Sequence, residues 1–508
     1  MPTLSNYGPV SLYCQSQKIP LPRDPIASYF PKIQNAPHPF CFDSADVSPI
    51  YGRFSLIGWE PILQITGKNE HFAIRVLQPR GQKFLANFSA ADFPKAQKLR
   101  QTATQITGQI FSHSQLVNES QRLHQATSAD SLRVFLAKFA TTQKTFCGLY
   151  GAFAYDFVRL FEKLPELNPA NKVPDFNFFL YDNFLHFDKL KKTGHLICLR
   201  TTKQALQRDL QQHQKLFFST PKSSSKISIS SKTNFQIQRA RFDLGQKEFE
   251  RLVQIARDLA RQGELFEVVF SRTLQASFRG DPWALFLRYR ELNPAPYLFF
   301  FNFGQAEFLI GASPEMLLRV EKGLVHTRPI SGTIVRGGNP IEDHENELKL
   351  LQSPKERAEL DMLIDLGRND LARICEPGVQ LTEYRTVEKY SRVLHTIAHV
   401  QGKLAQGFSA LDAVIAILPV GTLAGAPKIA ALKMIEKYEK TRRGYYGGGI
   451  GYFALSGECD TGIMIRTAHV RKAKLELRVG ATLLYDSVPT AEFQETEAKA
   501  KAFLDLCS

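Results

Sequence analysis

Hydrophobic positions recur along this chain with two different periods. Between Gln246 and Gln262, residues Phe249, Leu252, Val253, Ala256 and Leu259 fall three or four apart, which predicts one amphipathic helix. Short aromatic and β-branched runs at Leu149–Phe157, Phe178–Leu185 and Phe266–Arg272 are bounded by turn residues and predict strands. The apolar run around Tyr297–Phe303 has the length of a buried strand, and no apolar run approaches the about 20 residues of a membrane span. Turn residues cluster at Arg336–Asn339 and Tyr445–Gly451. Gln and Ser dominate residues 201–238, and periodicity fades from Ser219 onward. This predicts an N-terminal region over 1–218, a Ser/Lys-rich linker or excursion over 219–240, and a C-terminal region over 241–508.

Two helices can be placed by their caps, and each carries a carboxylate out of keeping with its surroundings. In SPKERAELDMLIDLGRNDL, Ser353 is an N-cap, Pro354 occupies the first helical position, and Glu356 completes a capping box. Met362, Leu363 and Leu366 then line the buried face, and Glu359 shares it. In the final helix, about 489–506, Ala491, Ala498 and Ala502 form a small-residue stripe that includes Glu495. An inward carboxylate is costly unless it is paired, protonated or metal-bound. Two separate buried salt bridges would satisfy the pattern. So would a shared Mg²⁺, since oxygen ligands few in number suit that ion and no Cys/His cluster favours zinc.

Other residues carry weaker signals. His395 and His399 sit in YSRVLHTIAHVQG, which reads as strand, so about 13 Å separates the two rings and they act separately. Arg466 interrupts an apolar strand face with Met464, Ala468 and Val470, and so calls for an internal carboxylate or a ligand anion. The run GYYGGGIGYF lacks GxGxxG spacing, so its glycines serve close backbone approach and not a nucleotide loop. After Val479, Gly480 and Ala481 offer unobstructed N–H groups suited to a carboxylate.

Composition narrows the class. The chain has 508 residues, 44% hydrophobic and 22% charged, which excludes wholesale disorder. Lys plus Arg exceed Asp plus Glu by 64 − 49 = 15, yet no basic run is interleaved with aromatics, so a basic surface is expected and a nucleic-acid ligand is not. Cysteines 14, 41, 147, 198, 375, 459 and 507 are dispersed without a CxxC, and read as reduced thiols. The first residues, MPTLSNYGPVSLYCQ, have neither a basic start nor an apolar stretch, and a soluble, cytoplasmic protein is expected.

Taken together, RPISGT (328–333), SPKERAELDMLIDLGRNDLARICEPG (353–378), YSRVLHTIAHVQG (390–402), LPVGTLAGAPK (418–428), RRGYYGGGIGYF (442–453), GIMIRTA (462–468) and VGATLLYDSVPTAEFQETEAKA (479–500) resemble the chorismate-utilising enzymes, most closely those of the anthranilate synthase component I type. FCFDSAD (40–46), GLYGAFAYD (148–156) and NPAPYLFFF (293–301) extend the resemblance towards the N-terminus. The resemblance implies an α+β fold: a large sandwich of two mostly antiparallel sheets, helices outside, and a central cleft. It implies a lyase reaction in which chorismate is aminated at C2 by ammonia, loses its C4 hydroxyl and eliminates pyruvate to give anthranilate, the committed step towards tryptophan. Ammonia would come from glutamine on a separate amidotransferase subunit in a heterotetramer, because no GxCxG nucleophile elbow is found in this chain.

By the family's motifs, Glu359 and Glu495 would bind Mg²⁺. Tyr446 and Arg466 would hold the enolpyruvyl carboxylate, and Gly332, Thr333, Gly480, Ala481 and Thr482 would complete the substrate pocket. His395 would be the general acid/base and Thr422 would assist close to the reacting centre, while Ser44, Pro296, Tyr297 and Leu298 would form a tryptophan feedback site. Aminodeoxychorismate-forming relatives, the alternative, typically carry lysine where Ser331 stands, and isochorismate-forming ones typically carry lysine at the position of Glu267. Three departures stand out: GAT at 480–482 for the common GAG, FDS at 42–44 for LLES, and RPISGT for PIAGT.

Overall fold

The computed structural model describes residues 2–45, 52–111, 122–218, 234–390 and 393–507. The period-two segments pair into two large antiparallel sheets, each of thirteen strands among the described residues. One sheet runs from Thr3–Tyr7 at one edge to Phe235–Phe242 at the other, and the second from Ile330–Val335 to Gln97–Gln101. The sheets pack face to face and the longer helices cover their outer surfaces, the α+β sandwich that the resemblance implies.

Chain order and sheet order are interleaved. Phe40–Asp43 pairs with Tyr297–Gly304 in the first sheet, placing Phe42 opposite Phe299. Gly148–Phe153 pairs with Gly449–Ala454 in the second, placing Tyr150 opposite Tyr452. Residues from both ends of the chain therefore share one hydrophobic core. Phe40 stacks on Tyr150 and Phe301 with centroids 4.9 and 5.3 Å away, and Tyr150 stacks on Tyr452 at 5.3 Å. Such pairs contribute about 0.5–1.5 kcal/mol each beyond simple burial. The expected linker lies mostly outside the described residues, at 219–233. Its last part has already entered the strand Phe235–Phe242, hydrogen-bonded to Glu267–Gly280.

Three helices position the cleft. Gln246–Arg261 buries Phe249, Leu252, Val253 and Ala256 against the first sheet, on the stripe that the sequence predicts. Pro489–Leu504 packs beside it, and Pro354–Ala372 covers the strand Val393–Lys403 of the second sheet. In Pro354–Ala372 the buried residues are Leu360, Leu363, Ile364, Asp370 and Leu371, so Met362 and Leu366 sit at the margin of the face, not its centre. The last helix corrects the expectation more strongly. Its buried residues are Glu492, Thr496, Ala500 and Phe503, while Ala491 and Ala498 are exposed. A stripe of alanines carries too little apolar area to choose the buried face, and Phe503 decides it. All seven cysteines are free, and among the described residues no helix is long and apolar enough to cross a membrane.

Candidate active site

The helix Pro354–Ala372 starts where Ser353 accepts a hydrogen bond from the Glu356 N–H at 3.3 Å. Only this half of the expected capping box forms. The Glu356 carboxyl turns instead towards the strand Ile330–Val335, where a Cβ on Gly332 would lie 2.7 Å from its Oε2. Glu359 follows one turn later, on the same side. Burial lifts the Glu359 carboxyl to about 7, aided by the charges of Glu356 and Glu495 and opposed by Lys355 and the Ser331 hydroxyl. Glu495 thus belongs to the same electrostatic neighbourhood as Glu359, although its side chain is 48% exposed and pairs with Lys499 at 2.6 Å. It stands at the rim of the cleft and does not point into the helix–sheet interface. Lys499 also donates to the Gly480 carbonyl at 3.0 Å, which ties the Glu495 helix to the strand Lys474–Leu484.

Glu267 completes the acidic group. It opens the strand Glu267–Gly280, is fully buried, and among the described residues neither carboxyl oxygen has a hydrogen-bond partner. Burial and then the Glu359 charge push it up to about 8. A buried carboxyl without a partner is expensive, and four glutamates within mutual electrostatic reach are more so. A divalent cation among Glu359, Glu495 and water would relieve this repulsion, so the donor set fits a hard, oxygen-preferring ion. Among the described residues no three His, Cys, Asp or Glu side chains close into a ready-made cage, which leaves most coordination positions to water or substrate.

The strand Ile330–Val335, beside Glu356 and Glu359, also holds His395. Gly332 adopts φ +67° inside a bulge between Ser331 and Thr333, a conformation that favours glycine. The bulge turns the Gly332 carbonyl to His395, 3.0 Å from Nδ1, and Thr333 Oγ1 also lies 3.0 Å from that nitrogen. A carbonyl only accepts, so Nδ1 carries the proton and Nε2 is left with its lone pair. Burial holds His395 below its ordinary value, and the Arg466 charge adds to this, against the Gly332 carbonyl. His399 is separate: its Nε2 lies 3.1 Å from Nδ1 of His326.

Thr422, in the short helix Gly421–Ala424, donates to Glu315 Oε1 at 3.0 Å. Burial drives Glu315 up to about 8, and both this hydrogen bond and the Lys499 charge pull it down. At neutral pH Glu315 is therefore largely protonated. Glu315 lies outside the family motifs, although an acid in the apolar run GASPEMLL carries the same signal as Glu359.

Arg466 lies between the strands Cys459–Ile463 and Thr467–Arg471, not on a strand face, and adopts φ +50°. Its backbone carbonyl accepts from Ala312 N–H and from the Tyr289 hydroxyl, both at 3.1 Å, which holds this uncommon conformation. Of the two partners weighed from sequence, the internal carboxylate is missing: among the described residues nothing pairs with the guanidinium. Its charge reaches His395 and Tyr446. Tyr446 is buried, and burial pushes its hydroxyl up to about 12. A Cβ on Gly480 would sit 2.8 Å from that hydroxyl, so the glycine is needed for the close approach. Gly480 and Thr482 alternate with Ala481, whose methyl packs into the outer helix layer and leaves only its backbone for the cleft.

A separate cavity of about 650 Å³ is lined by Ser44, Pro296, Tyr297 and Leu298 together, bringing all four of the expected feedback residues to one place. Ser44 is buried, and among the described residues its hydroxyl has no partner. Asp43 is an anchor of this wall: it accepts from Ser55 at 2.5 Å and pairs with Lys189 at 2.9 Å and Arg290 at 2.7 Å. Burial would raise its carboxyl, but these two cations and the hydroxyl hold it below the usual range.

Residues 82–505 match the pattern of the chorismate binding enzymes. The chain is 35% identical over 466 residues to an anthranilate synthase of Azospirillum brasilense, covering 90% of this chain and 61% of that longer protein. It is 39% identical to anthranilate synthase component 1 of Pseudomonas aeruginosa, covering 70% of this chain and 74% of the relative. The crystal structure of anthranilate synthase component I from Streptococcus pneumoniae superposes with a TM-score of 0.68 at 31% identity, over 88% of this chain and 91% of the other.

Proposed function

The chain belongs to the chorismate binding enzyme family, among its anthranilate synthase component I relatives, and on that footing we propose that it aminates chorismate at C2 with ammonia, expels the C4 hydroxyl as water, and eliminates pyruvate to leave anthranilate. The observation that carries this reading is the polarity of the cleft. The raised carboxyls of Glu359 and Glu267, with Glu495 at the rim, mark one end, and the unpaired Arg466 guanidinium lies apart from them beside His395 and Tyr446. A substrate with two carboxylates fits that field if a cation binds the first and Arg466 with Tyr446 binds the second. Mg²⁺ held by Glu359 and Glu495 would supply Lewis-acid stabilisation of charge at the ring.

The chain's own groups then divide the proton transfers. Protonated Glu315, held by Thr422, gives its proton to the departing hydroxyl. Glu267, once ionised, takes a proton from the nitrogen that has added at C2. His395 Nε2, free because Nδ1 is engaged, removes the C2 proton in the second step as pyruvate leaves. Gly332, Thr333 and the backbone from Gly480 to Thr482 line the ring. Glutamine-derived ammonia would come from a second component, as the component 1 names of the relatives imply. The cavity at Ser44 and Pro296–Leu298 would take tryptophan as feedback inhibitor.

Lysine is absent at Ser331, which disfavours aminodeoxychorismate formation, and at Glu267, which disfavours isochorismate formation, and both support amination at C2. The test is a product assay: purified protein with chorismate, Mg²⁺ and ammonium at alkaline pH should yield fluorescent anthranilate and pyruvate. Accumulation of 4-amino-4-deoxychorismate with no anthranilate would sink the proposal.

A further inference from the structure

One buried cation outside the cleft touches three of its walls. Arg443 is 6% exposed and makes four hydrogen bonds with its five donors. Nε and NH2 form a fork on Glu439 at 3.0 and 2.6 Å. NH1 donates to the Leu423 carbonyl at 2.5 Å, and NH2 to the Val269 carbonyl at 2.6 Å. Leu423 immediately follows Thr422 in a single turn, Gly421–Ala424, whose last carbonyls have no partner within the turn. Val269 lies two residues from Glu267 on the same strand, hence on the same face. The Tyr446 ring lies 5.5 Å from the guanidinium carbon and the Tyr155 ring 4.7 Å from it.

We propose that Arg443 is a positioning residue that sets the Thr422 turn, the Glu267 strand and the Tyr446 ring in register with one another. This rests on the chorismate reading of the cleft. The guanidinium is itself held in place, because Glu439 also accepts from Ser271 N–H at 2.9 Å, Ser271 Oγ at 2.7 Å and Arg478 NH2 at 2.9 Å. A planar fork is required: two donors grip the carboxylate while the rest point in fixed directions to two carbonyls on different elements. A lysine ammonium at the same place keeps the charge and reaches one of these acceptors at a time. The neighbouring Asp156–Arg159–Glu436 cluster satisfies itself, with contacts at 3.0 and 2.6 Å, and does not compete for Arg443.

The test compares Arg443→Lys with Arg478→Lys. Both keep a cation on Glu439, but Arg478 reaches neither Leu423 nor Val269: its other bonds go to Ser271 Oγ and Thr441 O. Displacing catalytic groups by a fraction of an ångström to 1 Å lowers turnover by about a hundredfold, so Arg443→Lys should lose that much in kcat with a KM change under about fivefold. Arg478→Lys should stay within about threefold in kcat at a similar loss of thermal stability. Hydrogen exchange gives a readout independent of turnover: amides in Gly421–Ala424 should exchange more than about tenfold faster in Arg443→Lys and be unchanged in Arg478→Lys. Equal kinetic losses in both variants, or unaltered exchange in Arg443→Lys, overturn the proposal. Should the unmutated protein fail to make anthranilate, the functional reading falls, and the exchange comparison still decides this one.

Discussion

Replacing Thr422 by valine preserves shape and removes one donor, the hydroxyl that reaches Glu315 Oε1 at 3.0 Å. That bond favours the ionised acid, since hydrogen bonds to a charged acceptor are worth about 1.5–3 kcal/mol and to a neutral one about 0.5–1.5 kcal/mol. The difference, about 1–1.5 kcal/mol, corresponds to about one pH unit. Glu315 stands at about 8, raised chiefly by burial, and must carry its proton to protonate a leaving hydroxyl. Turnover in the unmutated enzyme should therefore decline as pH rises through about 8, and in Thr422→Val the alkaline limb should move up by about one unit. The assay is anthranilate fluorescence under saturating chorismate and ammonia at fixed ionic strength, from pH 6 to 10. A limb that stays in place in Thr422→Val would show that Glu315 is not the titrating acid, and a flat profile through pH 8 would remove it from the mechanism.

Three further outcomes are expected. Burial raises Glu267, Glu315 and Glu359, and neighbouring carboxylates raise Glu267 and Glu359 further, so the folded protein keeps protons that the unfolded chain releases. Stability without metal should therefore fall between pH 4.5 and 8, and at pH 8 Mg²⁺ at tenfold its Kd should restore about 1.4 kcal/mol. Calorimetry of Glu359→Gln should show no such Mg²⁺ effect and the assay no activity; retention of either removes the metal assignment. Gly480→Ala would place a methyl 2.8 Å from the Tyr446 hydroxyl and 2.7 Å from the Phe270 carbonyl, and should raise the chorismate KM by about tenfold or more with the fold intact. An unchanged KM would take Tyr446 out of substrate binding. Ser44→Phe fills the second cavity and should weaken tryptophan inhibition by about tenfold or more, whereas equal sensitivity in a titration would place the inhibitor elsewhere.

Much of this protein is readable in one dimension because the signals are local. The helix Gln246–Arg261 follows from the spacing of five apolar residues, the strands follow from β-branched and aromatic runs, and the Glu359 helix begins at its Ser-Pro cap. The motif set carries the cleft residues because each motif is a contiguous piece of wall. What one dimension could not supply is which piece faces which. A stripe of alanines points Glu495 inward, but a helix turns its largest apolar residue to the sheet, and Phe503 puts Glu495 at the rim. Apolar alternation puts Arg466 on a strand face, but its left-handed backbone depends on hydrogen bonds from Ala312 and Tyr289, both more than 150 positions away. Glu315 shows in the sequence only as an acid within an apolar run, and Arg443 carries no such signal. Burial sets the charge state of the first, and the bonds of the second cross to Val269, 174 positions distant. Propensity and patterning act over a few residues, so composition and spacing suffice for elements. Desolvation and bridging hydrogen bonds depend on neighbours that only the packed sheets bring together, and those forces set the raised carboxyl of Glu315, the tautomer of His395 and the backbone of Arg466.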